Sequence, residues 1–159
     1  MQKNIEEENN INEAETFNVN LKVLYAKKNS FDDSSNTRIH FHPFTEFYYI
    51  VNGEGTFSIE DKVVDVKKDD FLIINSNIGH SVYPLNDNND LKYISLGIDS
   101  VSIVILNEDG YEKDSSKFFH THLEERKDMI LSLFEDVLFE FSSKDPYAKS
   151  MANAKASII

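Results

Sequence analysis

The sequence predicts an all-β barrel or sandwich followed by a C-terminal pair of α-helices. Between residues 17 and 105 the apolar residues fall in short runs, several of period two, separated by Gly, Asn and Asp clusters. From Ile130 onward they recur at three- and four-residue spacing instead. The chain has 159 residues, 40% hydrophobic and 12% aromatic. That is one domain's worth of chain, with enough apolar area for a core of its own.

Residues 1–16 are acidic, Asn-rich and weakly apolar. Such a stretch does not offset its ordering entropy and reads as a flexible arm. In Phe17–Leu24, Phe17, Val19, Leu21 and Val23 share one face while Asn18, Asn20 and Lys22 share the other, as in a half-buried strand. Glu46–Val51 and Thr56–Glu60 flank Asn52-Gly53-Glu54-Gly55, which predicts a hairpin. Val63–Val66, Phe71–Ile74, His80–Tyr83, Leu91–Ile98 and Val101–Ile105 are the remaining expected strands. Ile130, Leu133, Phe134, Val137, Leu138 and Phe141 then mark an amphipathic helix, with Glu124 and Glu125 expected in its first turn. Asp145-Pro146 signals the start of a second helix. It runs to Ile158-Ile159 without a stop signal, so the chain is expected to be cut from a longer protein. The expected division is arm 1–16, barrel 17–119 and helical segment 120–159.

With 16 basic and 28 acidic side chains the net charge is −12. A surface of that sign repels phosphate, so these residues are not expected to bind DNA themselves. No apolar run reaches the length of a membrane span and no secretory signal opens the chain, so a cytoplasmic protein is expected. The absence of cysteine removes disulfides, thiolate metal sites and cysteine nucleophiles. Phosphate-cradling glycine loops and the serine-hydrolase elbow are missing as well.

The chemistry is concentrated in His40-Phe-His42-Pro-Phe-Thr-Glu46. Its three candidate ligands share one parity, so an extended strand aims them to one side. If a barrel brings the strand of His80 alongside, three imidazoles and a carboxylate form a set suited to Zn, Fe, Mn, Ni or Co, with positions left for water or substrate. Three readings are open for this set: metal chelation, direct polar recognition of a small effector, and a hydrogen-bonded barrel mouth. Whichever holds, a carboxylate in an apolar barrel costs several kcal/mol unless it is paired, hydrated or metal-bound. Arg38 shares the parity of His40, which aims it inward toward an anionic ligand or leaves it a charge at the strand end. Tyr48, Phe57, Tyr83 and Tyr93 either stack on an effector or belong to the core. His120-Thr-His122 repeats the spacing without a patterned further ligand, and Thr121 or a neighbour is expected to cap the helix.

His-x-His-x-x-x-Glu, six residues, then Gly53 resembles the first motif of the cupin superfamily residue for residue. Of the second motif His80 remains, while Asp69, Asn75 and Asn77 replace two glycines and a proline; Asn77 still accepts a left-handed conformation. The resemblance implies a double-stranded β-helix, or jelly-roll, barrel. Gly53-Glu-Gly-Thr-Phe, and strands followed by a helix, Lys144-Asp-Pro-Tyr147 and a further helix, are similar to the N-terminal domain of AraC-type transcription regulators over residues 20–159. That likeness implies an effector-sensing, homodimerising domain and no enzyme. Its effector contacts would be His40, His42, Glu46, Tyr48, His80 and Arg38. No cofactor is required, although His40, His42, Glu46 and His80 admit a divalent metal. DNA would be reached only through a helix-turn-helix domain beyond this chain. The alternative is a small metal-dependent cupin enzyme, an isomerase or oxygenase, using the same four ligands.

Overall fold

The computed structural model describes residues 20–30, 38–85, 90–104 and 117–159. The expected arm, Phe17 and Ile105 lie outside the described residues. Eight strands precede two helices: β1 Lys22–Ser30, β2 Thr45–Asn52, β3 Glu54–Ile59, β4 Lys62–Lys67, β5 Asp70–Ile74, β6 His80–Pro84, β7 Lys92–Asp99, β8 Phe118–His122, α1 Lys127–Ser142 and α2 Ala148–Ala156. A five-stranded sheet in the order β1-β7-β2-β5-β8 faces a three-stranded sheet in the order β4-β3-β6, with every paired neighbour antiparallel.

The larger sheet is apolar on both faces, which is why β2 and β7 read as nearly continuous hydrophobic runs rather than alternating ones. On one face Phe47, Tyr49, Ile94, Leu96 and Ile98 meet Ile130, Phe134 and Val137 of α1 and Ala152 and Ala156 of α2. The opposite face sends Tyr48, Ile50, Leu72, Ile74 and Tyr93 against Phe57, Ile59, Val66 and Val82 of the smaller sheet. Phe134 is fully buried, its ring 5.8 Å from that of Tyr49 and 6.0 Å from that of Phe71. Burial of such a side chain stabilises by about 1.5–3 kcal/mol. Asn153 of α2 accepts the Val23 N–H at 2.9 Å, tying the second helix to the edge strand β1.

Several sequence expectations change. Residues 52–55 do not close a hairpin: β2 pairs with β5 and β7, and β3 with β4 and β6. Gly53, at φ +77, instead turns the chain from one sheet into the other. Turn residues license the bend without specifying whether its flanks pair. Val101–Val104 form no strand, because the Asn75 side chain replaces a partner strand there, donating to the Ile103 carbonyl and accepting its N–H, both at 2.9 Å. Thr121 caps nothing: His120-Thr-His122 belongs to β8, so the sheet runs past the expected boundary at 119. Helix α1 begins at Lys127 with Asp128 in its first turn, leaving Glu124 and Glu125 outside. The Asp145 carboxylate accepts the Tyr147 N–H at 2.8 Å, so it shapes the turn entering α2 from just before the cap position. Asp69 and Asn77, standing where the resembling motif has glycine, hold left-handed φ values of 70 and 62.

Candidate metal and ligand site

His40, His42, Glu46 and His80 converge: one ligand atom from each lies within 4.8 Å of all the others. The convergence does not come from the continuous strand expected. Strand β2 starts only at Thr45, and His40 makes an isolated bridge to His80, exchanging two backbone hydrogen bonds of 2.9 Å. The Asn77 N–H donates to the His42 carbonyl at 2.7 Å. Backbone stitching therefore holds residues 40–42 beside the entrance to β6, and β2 presents Glu46 from the facing sheet.

Backbone carbonyls also fix the three ring orientations. His40 Nδ1 lies 3.0 Å from the Arg38 carbonyl, His42 Nδ1 2.9 Å from that of Phe44, and His80 Nδ1 2.9 Å from that of Ile78. A carbonyl only accepts, so each Nδ1 carries the proton and each neutral ring keeps its lone pair on Nε2. His42 Nε2 and His80 Nε2 both meet Glu46 Oε2, the latter at 2.8 Å. Two lone pairs facing one carboxylate oxygen repel unless a proton or a cation lies between them. Glu46 and His80 are buried, which raises the energetic cost of leaving that conflict unresolved.

The donor set fits a divalent transition metal, for which neutral imidazole and carboxylate are the ordinary ligands. Burial holds the proton affinity of His42 below the ordinary imidazole value, outweighing the bond to the Phe44 carbonyl, and the neighbouring His80 and His40 act in the same direction. The Tyr48 hydroxyl donates to Glu46 Oε2 at 2.6 Å and lies 3.1 Å from His80 Nε2. Burial, then the adjacent Glu46 charge, pushes this phenol well above its ordinary value, so it remains a donor.

Beside the cluster opens a cavity of about 230 Å³. Its wall includes Tyr48 and Tyr93, which also pack in the core between the sheets, whereas Phe57 is wholly core and Tyr83 is exposed. Arg38 is exposed and does not line the cavity; its contribution is the carbonyl that orients His40. Strand parity failed for Arg38 because the segment before β2 is bent rather than extended. Sequence reasoning missed Tyr25, Asn29, Phe44 and Ser95. Asn29 donates to Ser95 Oγ at 2.9 Å across β1 and β7, making a polar wall. Phe44 stacks on His42, with centroids 4.0 Å apart and planes 4° from parallel.

Residues 32–97 match the family model described as Cupin domain. The fold is a cupin barrel. Its matched segment contains all four converging residues, and the two C-terminal helices lie beyond it. The cupin barrel and its helices together are similar to apo ToxT K231A from Vibrio cholerae, with a TM-score of 0.51 and 11% identity over 87% of this chain and 52% of that one. Oxalate decarboxylase from Bacillus subtilis gives a TM-score of 0.37 at 18% identity over 51% of this chain and 26% of that one. A cupin protein from Bacteroides fragilis gives 0.40 at 16% identity, over 52% and 69%. This chain thus spans 52% of the ToxT chain and 26% of the decarboxylase chain. No curated protein sequence matches it. No helix among the described residues is long and apolar enough to cross a membrane.

Proposed function

We propose that this cupin is the effector-sensing and dimerising domain of an AraC-type transcription regulator, with a divalent metal satisfying the three-histidine, one-carboxylate centre. The observation that carries the reading is the shared sheet. Glu46 and Tyr48 of β2 and Tyr93 and Ser95 of β7 face the cavity, while Phe47, Tyr49, Ile94 and Leu96, their immediate neighbours, pack toward the helices. A ligand that draws on the first set displaces the second, so occupancy biases the helical pair by population shift. Coupling of this kind is typically about 1–3 kcal/mol.

The likeness to ToxT, an AraC-family regulator, supports this at the level of fold and extends over the helices. Exposed Phe139 and Tyr147 at the helical end offer apolar area for a homodimer. DNA binding is assigned to a helix-turn-helix domain following residue 159, and the cytoplasm is the corresponding compartment. The test is the coding sequence after Ile159: the reading expects a basic segment of roughly 100 residues with two helix-turn-helix patterns, and a stop codon there overturns it.

The second reading is a metal-dependent cupin enzyme, favoured by the complete donor set and the cavity beside it. Hydrogen exchange separates the two. A sensor transmits ligand binding to protection of α1 and α2, whereas an enzyme changes protection around the cavity alone.

A further inference from the structure

Strand β1 changes face part-way along its length. Leu21 and Val23 pack toward the helices. Uninterrupted alternation from Val23 would send Tyr25, Lys27 and Asn29 the same way and turn Leu24, Ala26 and Lys28 to the cavity. The pairing with β7 shows the reverse. Val23 stands opposite Ile98 and Tyr25 opposite Gly97, so Leu24 is an extra residue and the register slips past it. Thereafter Ala26 stands opposite Leu96 on the helix side, whereas Lys27 and Asn29 stand opposite Ser95 and Tyr93 on the cavity side. This single bulge gives the cavity Tyr25, Lys27 and Asn29 in place of Leu24, Ala26 and Lys28.

The bulge is pinned from outside the barrel. Val23 is buried, so its backbone N–H requires an acceptor. Asn153 Oδ1 of α2 provides it at 2.9 Å, across 130 positions of sequence. Ala152 and Ala156 of the same helix are buried against the sheet, which fixes where that side-chain amide stands. Just past the extra residue, Tyr25 meets Phe44 edge to face with ring centroids 5.8 Å apart, and Phe44 in turn stacks on His42. Both rings lie over Gly97, where a Cβ would leave no room for them. Contiguous contacts therefore run from α2 through the bulge to one imidazole of the candidate centre.

We infer that Asn153 is a positioning residue for the ligand cavity: by holding the Val23 N–H it fixes the bulge at Leu24, and through it the contact of Tyr25 with Phe44 that backs His42. This role is the same whether the site senses or catalyses. It is tested by NMR on the full chain, metal-free and with added zinc chloride, with far-UV circular dichroism as the check on folding. In metal-free Asn153→Ala the Val23 amide is expected to exchange at least about tenfold faster, and the cross-relaxation between the Tyr25 and Phe44 rings to weaken. Asn153→Asp, which keeps an acceptor oxygen in the same place, is expected to retain both. Should the alanine variant not fold, Asn153→Leu removes the acceptor at nearly constant volume and gives the same reading. Zinc affinity is expected to fall by about 2–30-fold in the alanine variant. By reciprocity, zinc is expected to slow Val23 exchange in wild type alone. A Val23 amide that stays protected, or ring contacts that survive its release, overturns the inference and leaves Asn153 a tie between α2 and β1. Zinc affinity equal to that of wild type overturns the step from the cavity wall to His42. Wild type that binds no zinc counts against the proposed metal centre instead, and the ring contacts then decide the role of Asn153.

Discussion

Tyr48 shows how single side chains set the chemistry of the candidate centre. Its hydroxyl is held as a donor on the Glu46 oxygen that also meets His42 and His80. Tyr48→Phe keeps the ring but removes the hydroxyl, so it is expected to destabilise the metal-free protein by about 1–3 kcal/mol. Urea denaturation measures this; an unchanged midpoint contradicts the assigned bond. Gly97 acts through shape alone. A Cβ there would come within 2.3 Å of Tyr25 Cε1 and 3.0 Å of Phe44 Cε2. Gly97→Ala is therefore expected to cost about 1–3 kcal/mol through overpacking. It also disturbs the Phe44 ring on His42, so reduced zinc affinity should accompany the lower thermal midpoint.

At the scale of elements, the turn between β4 and β5 anchors the helices. Asp69 accepts the Tyr49 hydroxyl at 2.9 Å and the Lys127 ammonium at 3.3 Å. Partial burial raises its carboxyl, but those two hydrogen bonds and the Lys127 charge outweigh that and hold it below the ordinary 3.8. The unfolded chain thus binds the proton more readily, so this contribution is complete above about 3.8 and fades as pH falls through the folded value. Asp69→Asn, which tolerates the same left-handed backbone, is expected to be less stable than wild type at pH 7 by about 1 kcal/mol, with the difference shrinking at pH 3. A difference independent of pH removes the charge from the explanation. Some elements were legible in sequence and others were not, for physical reasons. Strands β4 to β7 carry apolar runs bounded by turn residues, and α1 carries an apolar stripe. Strand β8 inverts the usual code: His120 turns inward to Asp70 while Phe119 is exposed, so hydrophobic alternation gives no signal. The inner face of β1 is likewise polar at Asn29.

Across the whole molecule, one sheet serves two functions, as the wall of a cavity and the floor of a helical layer. The candidate centre was legible because its residue types and spacing encode chemistry directly, even though a bent segment, rather than the expected strand, delivers His40 and His42. The polar wall of Asn29 and Ser95 was not legible, because it exists only when β1 reaches β7, with the two residues 66 positions apart in the chain. Metal content per chain, by elemental analysis of protein purified without chelator, tests the central claim most directly. The account predicts that His42→Ala, still folded by circular dichroism, loses one equivalent of a first-row transition metal relative to wild type. Identical metal content in the two proteins would contradict it.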